Sequence, residues 1–394
     1  MRVLISGAGI AGRTLAYWLL HHGFTPTLVE RAPRLRTAGY VMDFWGAGFE
    51  IASRMGLLPA IDGAGYLVRE VRVVNAAGQK VTGFPAAAFT PATGDRFTSL
   101  SRGDLAAAIY GTVASKAETL FDDSIQRIEQ TPNGVAVEFE RHPPRMFDLV
   151  VGADGLHSRV RELVFGPERR FERYLGIKAA AFEVEGYRPR DELVYVMYSQ
   201  VGQQVSRFAM RGDRTMFLFV FADPSPLMPH DVHDQKQVLR TRFGSSGWEC
   251  PAILERLDAV DDLYFDRVSQ IEMPPAEGLW TKDRVSLVGD AASCISFLGG
   301  QGSALAMTAA YLLAGELHRA GGDYQRAFSE YQRTFAPFVA MKQRAARRFA
   351  GTFAPKSRFS LWMRNEVFRL LAVPLVAKAV AGRGLVDRIA LPEY

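Results

Sequence analysis

Gly7-Ala8-Gly9-Ile10-Ala11-Gly12 near the start of the chain, and Asp290 followed by Gly300-Gln301-Gly302-Ser303 near its end, are the residues whose types and spacing point to chemistry. In a GxGxxG spacing the first glycine turns the chain, the second admits a pyrophosphate and the third lets a helix pack closely on its strand. Glu30, with Arg31 beside it, follows about 20 residues later, where a carboxylate accepts ribose hydroxyls. NAD and FAD both present an adenosine ribose and a pyrophosphate, so this motif leaves the two open. An aspartate after an apolar strand, as in Val285-Ser-Leu-Val-Gly-Asp290, can bind the hydroxyls of a sugar chain. Backbone N–H groups from Gly300 to Gly302, at the start of a helix, face an anion. That pairing suits a flavin, whose reduced ring carries negative charge near N1 and O2.

The elements that hold these residues are legible from hydrophobic patterning. Arg2 to Ser6 reads as a buried strand, Arg13 to His22 as a helix and Thr25 to Glu30 as a second strand, within one βαβ unit. Asp148 to Gly152 and Val285 to Gly289 are short apolar runs expected in the same parallel sheet. Leu193 to Tyr198, Gln204 to Met210 and Met216 to Phe221 alternate as antiparallel strands, the last two joined by a turn at Arg211-Gly-Asp-Arg214. A hairpin from Val68 to Val74 and Gln79 to Gly83 extends that second sheet. From Ser303 the pattern is helical to Phe349, and a last helix begins near Arg358 after a break at Phe353-Ala-Pro-Lys356. The fold class is therefore α/β: a Rossmann-like dinucleotide domain, an interleaved antiparallel-sheet substrate domain and a C-terminal bridging helix. The boundaries fall at 1–67, 98–166 and 276–350 for the first, 68–97 and 167–275 for the second, and 351–394 for a helical tail.

Composition excludes several classes. A chain of 394 residues with 48% hydrophobic and 23% charged residues can bury a core and is not disordered. Cys250 and Cys294 match no disulfide framework or zinc spacing, and the N-terminus lacks the pattern of a signal peptide, which fits the cytoplasm. Leu361 to Ala381 is interrupted by charges and Pro374, so no integral membrane association is expected. The net charge of +5 is uneven: residues 341–394 hold 11 Lys and Arg against 3 Asp and Glu, or +8, leaving −3 elsewhere. No nucleic-acid motif accompanies that charge, and nucleic acid is not an expected partner. His230 and His233 lack a third ligand and read as a solvated loop, so no metal is expected. Tyr198, Phe208 and Phe219, among strand aromatics buried on both faces, are candidates for the wall of an apolar substrate chamber.

A third segment, Gly152-Ala-Asp-Gly-Leu-His-Ser-Arg-Val-Arg161, makes the pattern specific. Together with Gly7–Gly12 and Val288–Ser303 it resembles the three fingerprints of the class A FAD-dependent aromatic hydroxylases, the p-hydroxybenzoate hydroxylase-like flavoprotein monooxygenases. The terminal Leu391-Pro-Glu-Tyr394 resembles their tetracycline-inactivating branch. The resemblance implies FAD as cofactor, NADPH or NADH as transient co-substrate, and O2 as oxidant. The reaction it implies is hydroxylation of an aromatic or polyketide-like small molecule through a flavin C4a-hydroperoxide. By position, Glu30 would hold the adenosine ribose, Asp290 the ribityl chain and Gly300 to Gly302 the ring edge. Arg102 in Leu100-Ser-Arg-Gly-Asp-Leu105 matches an FAD-contacting arginine. Arg36 and Asp43 match contacts to the nicotinamide cofactor and FAD. The family motif usually continues with His and then Pro, where this chain has Ser293 and Ser296. No acid or base residue is assigned, and the oligomeric state stays open. A flavin reductase or dehydrogenase on a hydrophobic substrate, or a non-catalytic binding protein, remains the alternative.

Overall fold

A computed structural model describes residues 1–35, 40–86, 96–275, 278–373, 376 and 389–394. β1 (Arg2–Ser6), α1 (Ile10–His21) and β2 (Thr25–Glu30) form a parallel βαβ unit. β3 (Val41–Trp45), α2 (Ala47–Arg54) and α3 (Leu58–Ala64) lead to the hairpin of β4 (Glu70–Val74) and β5 (Lys80–Pro85). β6 (Phe97–Ser101) returns antiparallel to β3 and runs straight into α4 (Arg102–Gly111). β7 (Glu118–Phe121) is followed by a small three-stranded sheet of β8 (Ile125–Thr131), β9 (Gly134–Phe139) and β10 (Arg145–Phe147), and then by β11 (Leu149–Gly152) and α5 (Arg159–Phe165). Four long strands come next, β12 (Glu172–Glu185), β13 (Val194–Gln200), β14 (Gln203–Ala209) and β15 (Arg214–Ala222). α6 (Val232–Phe243), α7 (Cys250–Glu255) and β16 (Tyr264–Ile271) complete that region. The chain ends through β17 (Thr281–Lys282), β18 (Val285–Leu287), α8 (Asp290–Ser293), α9 (Gly302–Arg319), α10 (Tyr324–Phe353) and α11 (Arg358–Leu371).

Two large sheets result. The first has the order β17-β18-β11-β1-β2-β7 and is parallel apart from β17. Its central strands are buried and mainly apolar because they pack against α1, α5 and the small β8–β10 sheet. The second has the order β16-β12-β15-β14-β13-β4-β5. The hairpin β4–β5 joins it as expected, but β4 pairs with β13 in parallel, since the long connection between them lets the chain re-enter in the same direction. Asp213, at φ 57°, makes the expected turn between β14 and β15.

One face of the second sheet packs on α6 and α7, where Phe217, Phe219 and Phe221 meet Leu239, Phe243 and Ile253. Its other face looks toward the first sheet. His233, expected in a loop, lies instead in the first turn of α6, which Asp231 caps by accepting from the Asp234 N–H at 2.8 Å. No described helix is long and apolar enough to cross a membrane. The last residues return to α9, where Tyr394 donates to Glu316 at 2.7 Å and Tyr311 donates to the Pro392 carbonyl at 2.5 Å.

Candidate cofactor and substrate site

The cleft between the sheets holds a continuous cavity of about 770 Å³. Its first end is backbone. Gly7 turns the chain at φ +99°, and a Cβ there would lie 2.6 Å from the Ala153 carbonyl oxygen. A Cβ on Gly12 would lie 1.9 Å from the Gly7 oxygen, so α1 can approach β1 only without a side chain. At Gly9 the Cβ direction is empty, which leaves room for a ligand before the N-terminus of α1. Ile10, Ala11, Glu30 and Arg31 line the same end. Glu30 accepts from the Ala8 N–H at 2.8 Å and the Ala32 N–H at 2.9 Å, which fixes its carboxylate at the end of β2 with lone pairs left for hydroxyls.

Arg13, which the motif does not mark, also lines this end. Its guanidinium donates to the Ala106 carbonyl at 2.5 Å and sits 5.4 Å from the Tyr110 ring, and burial lowers its pKa to about 10.

The middle of the cavity is made where elements begin. Arg102 is the first residue of α4, whose cap Ser101 accepts from the Gly103 N–H at 3.1 Å. Asp290 is the first residue of α8, after Gly289 at φ 62°. The Arg102 N–H donates to the Tyr40 carbonyl at 3.1 Å, tying α4 to the start of β3. Its side chain is exposed only into this cavity and makes no hydrogen bond with any described side chain. Burial raises the pKa of Asp290 while the charge of Arg102 opposes that shift. The neighbouring Tyr40 raises the pKa of Arg102, burial works against it, and Asp290 adds to the rise. A cation that no described side chain hydrogen-bonds, beside a desolvated carboxylate with sugar-binding chemistry, fits a ligand carrying both phosphate and polyol.

Gly300, Gly302 and Ser303 line the far wall, at the N-terminus of α9, whose first N–H groups have no acceptor within the helix. Ser303 Oγ lies 2.8 Å from Met42 Sδ. Gln301 is buried at the N-cap outside the lining, so it contributes backbone shape. Ser296 lines the cavity too: it is buried at φ 95°, and its hydroxyl has no hydrogen-bond partner among the described residues.

The remaining expectations are placed differently. Arg36 lies outside the described residues. Asp43 is on the opposite face of β3 from the cavity-lining Met42, and accepts from Ser99 Oγ at 2.5 Å. Tyr198 and Phe219 are corrected: both belong to the core under α6 and α7, with Phe219 4.9 Å from Phe243. Phe208 is on the cavity-facing side of β14 but is buried against Tyr195 at 4.5 Å and Tyr66 at 5.4 Å, away from the lining. Successive strand residues point to opposite faces. Where both faces are buried, the sequence does not say which one meets the ligand. The chamber wall is formed instead by Ala181, Glu183, Met216 and Tyr264 from the second sheet, with Tyr40 and Phe297 against Tyr264. Tyr40, Tyr264 and Phe297 form one aromatic group, with ring centroids 4.6 to 5.9 Å apart. His157 joins the two sheets, its Nδ1 3.0 Å from Glu168 and its Nε2 3.3 Å from Asp266, and these carboxylates raise its pKa to about 10.

The family described as FAD binding domain matches residues 1–323. An uncharacterised protein of Mycobacterium tuberculosis is 39% identical over 324 residues, covering 81% of this chain and 85% of its own. A flavin-dependent monooxygenase from an unknown prokaryotic organism is 33% identical over 396 residues, covering 100% and 99%. The crystal structure of tetracycline destructase Tet(51) superposes with a TM-score of 0.84 at 31% identity, covering 100% of this chain and 99% of that one. Matched over residues 1–323 and aligned end to end with a flavin-dependent monooxygenase, the chain belongs to the FAD-binding domain family as a class A aromatic-hydroxylase-like flavoprotein.

Proposed function

We propose that this flavoprotein is a monooxygenase that uses NADPH or NADH and O2 to hydroxylate an aromatic or polyketide-like small molecule. One observation carries the reading: a single cavity runs from the glycine turn, past Arg102 and Asp290, into a chamber of apolar and aromatic side chains. When bound, FAD supplies hydride acceptance and oxygen activation. Glu30 and Asp290 hold its sugar hydroxyls, Arg102 faces its phosphate-bearing chain, and the N-terminus of α9 stabilises negative charge at the ring edge. Tyr40, Tyr264, Phe297 and Met216 orient a planar substrate and keep water from it.

Segments 1–67, 98–166 and 276–350 then form the FAD domain, and 68–97 and 167–275 the substrate domain, with 351–394 as tail. Strand membership in the two sheets supports this division. Two buried, unbridged cysteines support a cytoplasmic setting. The polyketide reading draws on the likeness to a tetracycline destructase.

The test is turnover of phenolic, quinone and polyketide compounds with isotopically labelled O2. Label in the product, matched to NAD(P)H consumed, is the expected result. Product formed without label would leave a reductase or dehydrogenase in its place.

A further inference from the structure

α11 has two faces. On one, Arg364 is buried and donates to Ser199 Oγ at 3.0 Å and Gln204 Oε1 at 3.3 Å, while the Phe368 ring meets Phe84 at 5.2 Å. This face docks the helix on the second sheet. On the other, Phe359, Trp362, Met363, Val367, Leu370 and, just past the helix, Val373 are each between 44% and 66% exposed. Steps of four, four and three residues from Phe359 through Met363 and Val367 to Leu370 place them along one side of the helix. Other exposed large apolar residues, such as Leu67, Met146 and Leu227, are far apart in the chain, as on ordinary surfaces. A contiguous apolar face of this kind marks a contact with something else.

Charge identifies what that is. Lys356 and Arg358 are exposed beside the stripe, Arg369 is exposed but paired with Glu366 at 2.8 Å, Arg344 and Arg348 are exposed on the preceding helix, and residues 341–394 carry +8 against −3 for the rest. A two-fold contact between copies would bring these like charges together. An anionic surface complements them. At 14 residues α11 is about 21 Å long, too short to span a bilayer and suited to lie in its interface. We propose that the outer face of α11 seats the enzyme on an anionic lipid surface, with Phe359, Trp362 and Leu370 inserted and Lys356 and Arg358 at the phosphates.

The test uses the full-length FAD-loaded protein and vesicles of phosphatidylcholine alone or mixed with phosphatidylglycerol. Sedimentation with the mixed vesicles is expected, at least about tenfold weaker with phosphatidylcholine alone and weaker at raised salt. Tryptophan emission shifts to the blue on binding, and the Trp362→Phe variant loses most of that shift. The double variant Phe359→Ser, Leu370→Ser keeps its flavin absorbance and loses binding by about tenfold or more. Four outcomes overturn the proposal. These are no sedimentation with the mixed vesicles, equal binding by the double variant, a wild-type dimer that the double variant dissolves, or Trp362 emission already that of a buried indole and unmoved by vesicles.

Discussion

At the glycine end of the cleft six consecutive residues, Gly7 to Gly12, shape the site through backbone alone. At the aromatic end Tyr40, Arg102, Tyr264 and the pair Asp290 and Phe297 arrive from four separate stretches of chain. The first end works by having no side chains where they would collide, the second by bringing distant side chains together. The lesson is that the ends differ in where they tolerate change. A local motif fails sterically and all at once, whereas a convergent site loses single interactions.

The largest effect that would sharpen this contrast is at Gly12. Gly12→Val places atoms on the Gly7 oxygen and is expected to destabilise the fold by about 3 kcal/mol or more, read as a lower thermal midpoint without FAD. Gly9→Ala, where a Cβ meets nothing, leaves that midpoint unchanged and weakens FAD binding only. Equal thermal losses for the two glycines would break the comparison.

Next is the convergent end. Asp290→Ala is expected to raise the FAD dissociation constant by roughly 10- to 100-fold, the value of a hydrogen bond to a charged group. Without cofactor its stability holds, because a desolvated carboxylate is removed. Arg102→Met behaves likewise with a smaller loss, near tenfold. A thermal midpoint that falls as far as affinity does would make either residue structural.

Ser296→Gly gives a gain. Removing a side chain from φ 95° and a buried hydroxyl that no described residue partners is expected to stabilise the cofactor-free protein by about 1 kcal/mol in denaturant titration.

The smallest effect is the pH dependence of the link between the sheets. His157 has a folded pKa raised from 6.5 to about 10, so the stability it contributes is complete below pH 6.5 and is lost as pH rises toward about 10. Its side chain is half exposed, so the decline is shallow. His157→Gln should flatten the thermal midpoint across that window; an unchanged slope would assign the decline to other groups.

Legibility followed the same division. The turn at Gly7, the carboxylate at Glu30 and the aspartate after β18 were readable because strand, glycine and acid lie next to one another and short-range sterics decide the outcome. Arg13 was not, since nothing local says that a helical arginine will find the Ala106 carbonyl 93 residues away. The aromatics were misjudged for a related reason. Pleat parity separated Phe217, Phe219 and Phe221 from Met216, Leu218 and Val220, yet both sets are apolar, and only the position of α6 and α7 decided that the phenylalanines lie away from the ligand.

By itself, then, the sequence determined the nucleotide turn, the strands that lead to Glu30 and Asp290, and that a dinucleotide is bound, because covalent neighbours and backbone sterics act over a few residues. The tertiary structure alone decided which face of the second sheet roofs the cavity, that Tyr40, Tyr264 and Phe297 meet, and that α11 keeps an apolar side in water. These depend on packing between segments far apart in the chain, where many arrangements satisfy the same local pattern and the burial of the whole selects one.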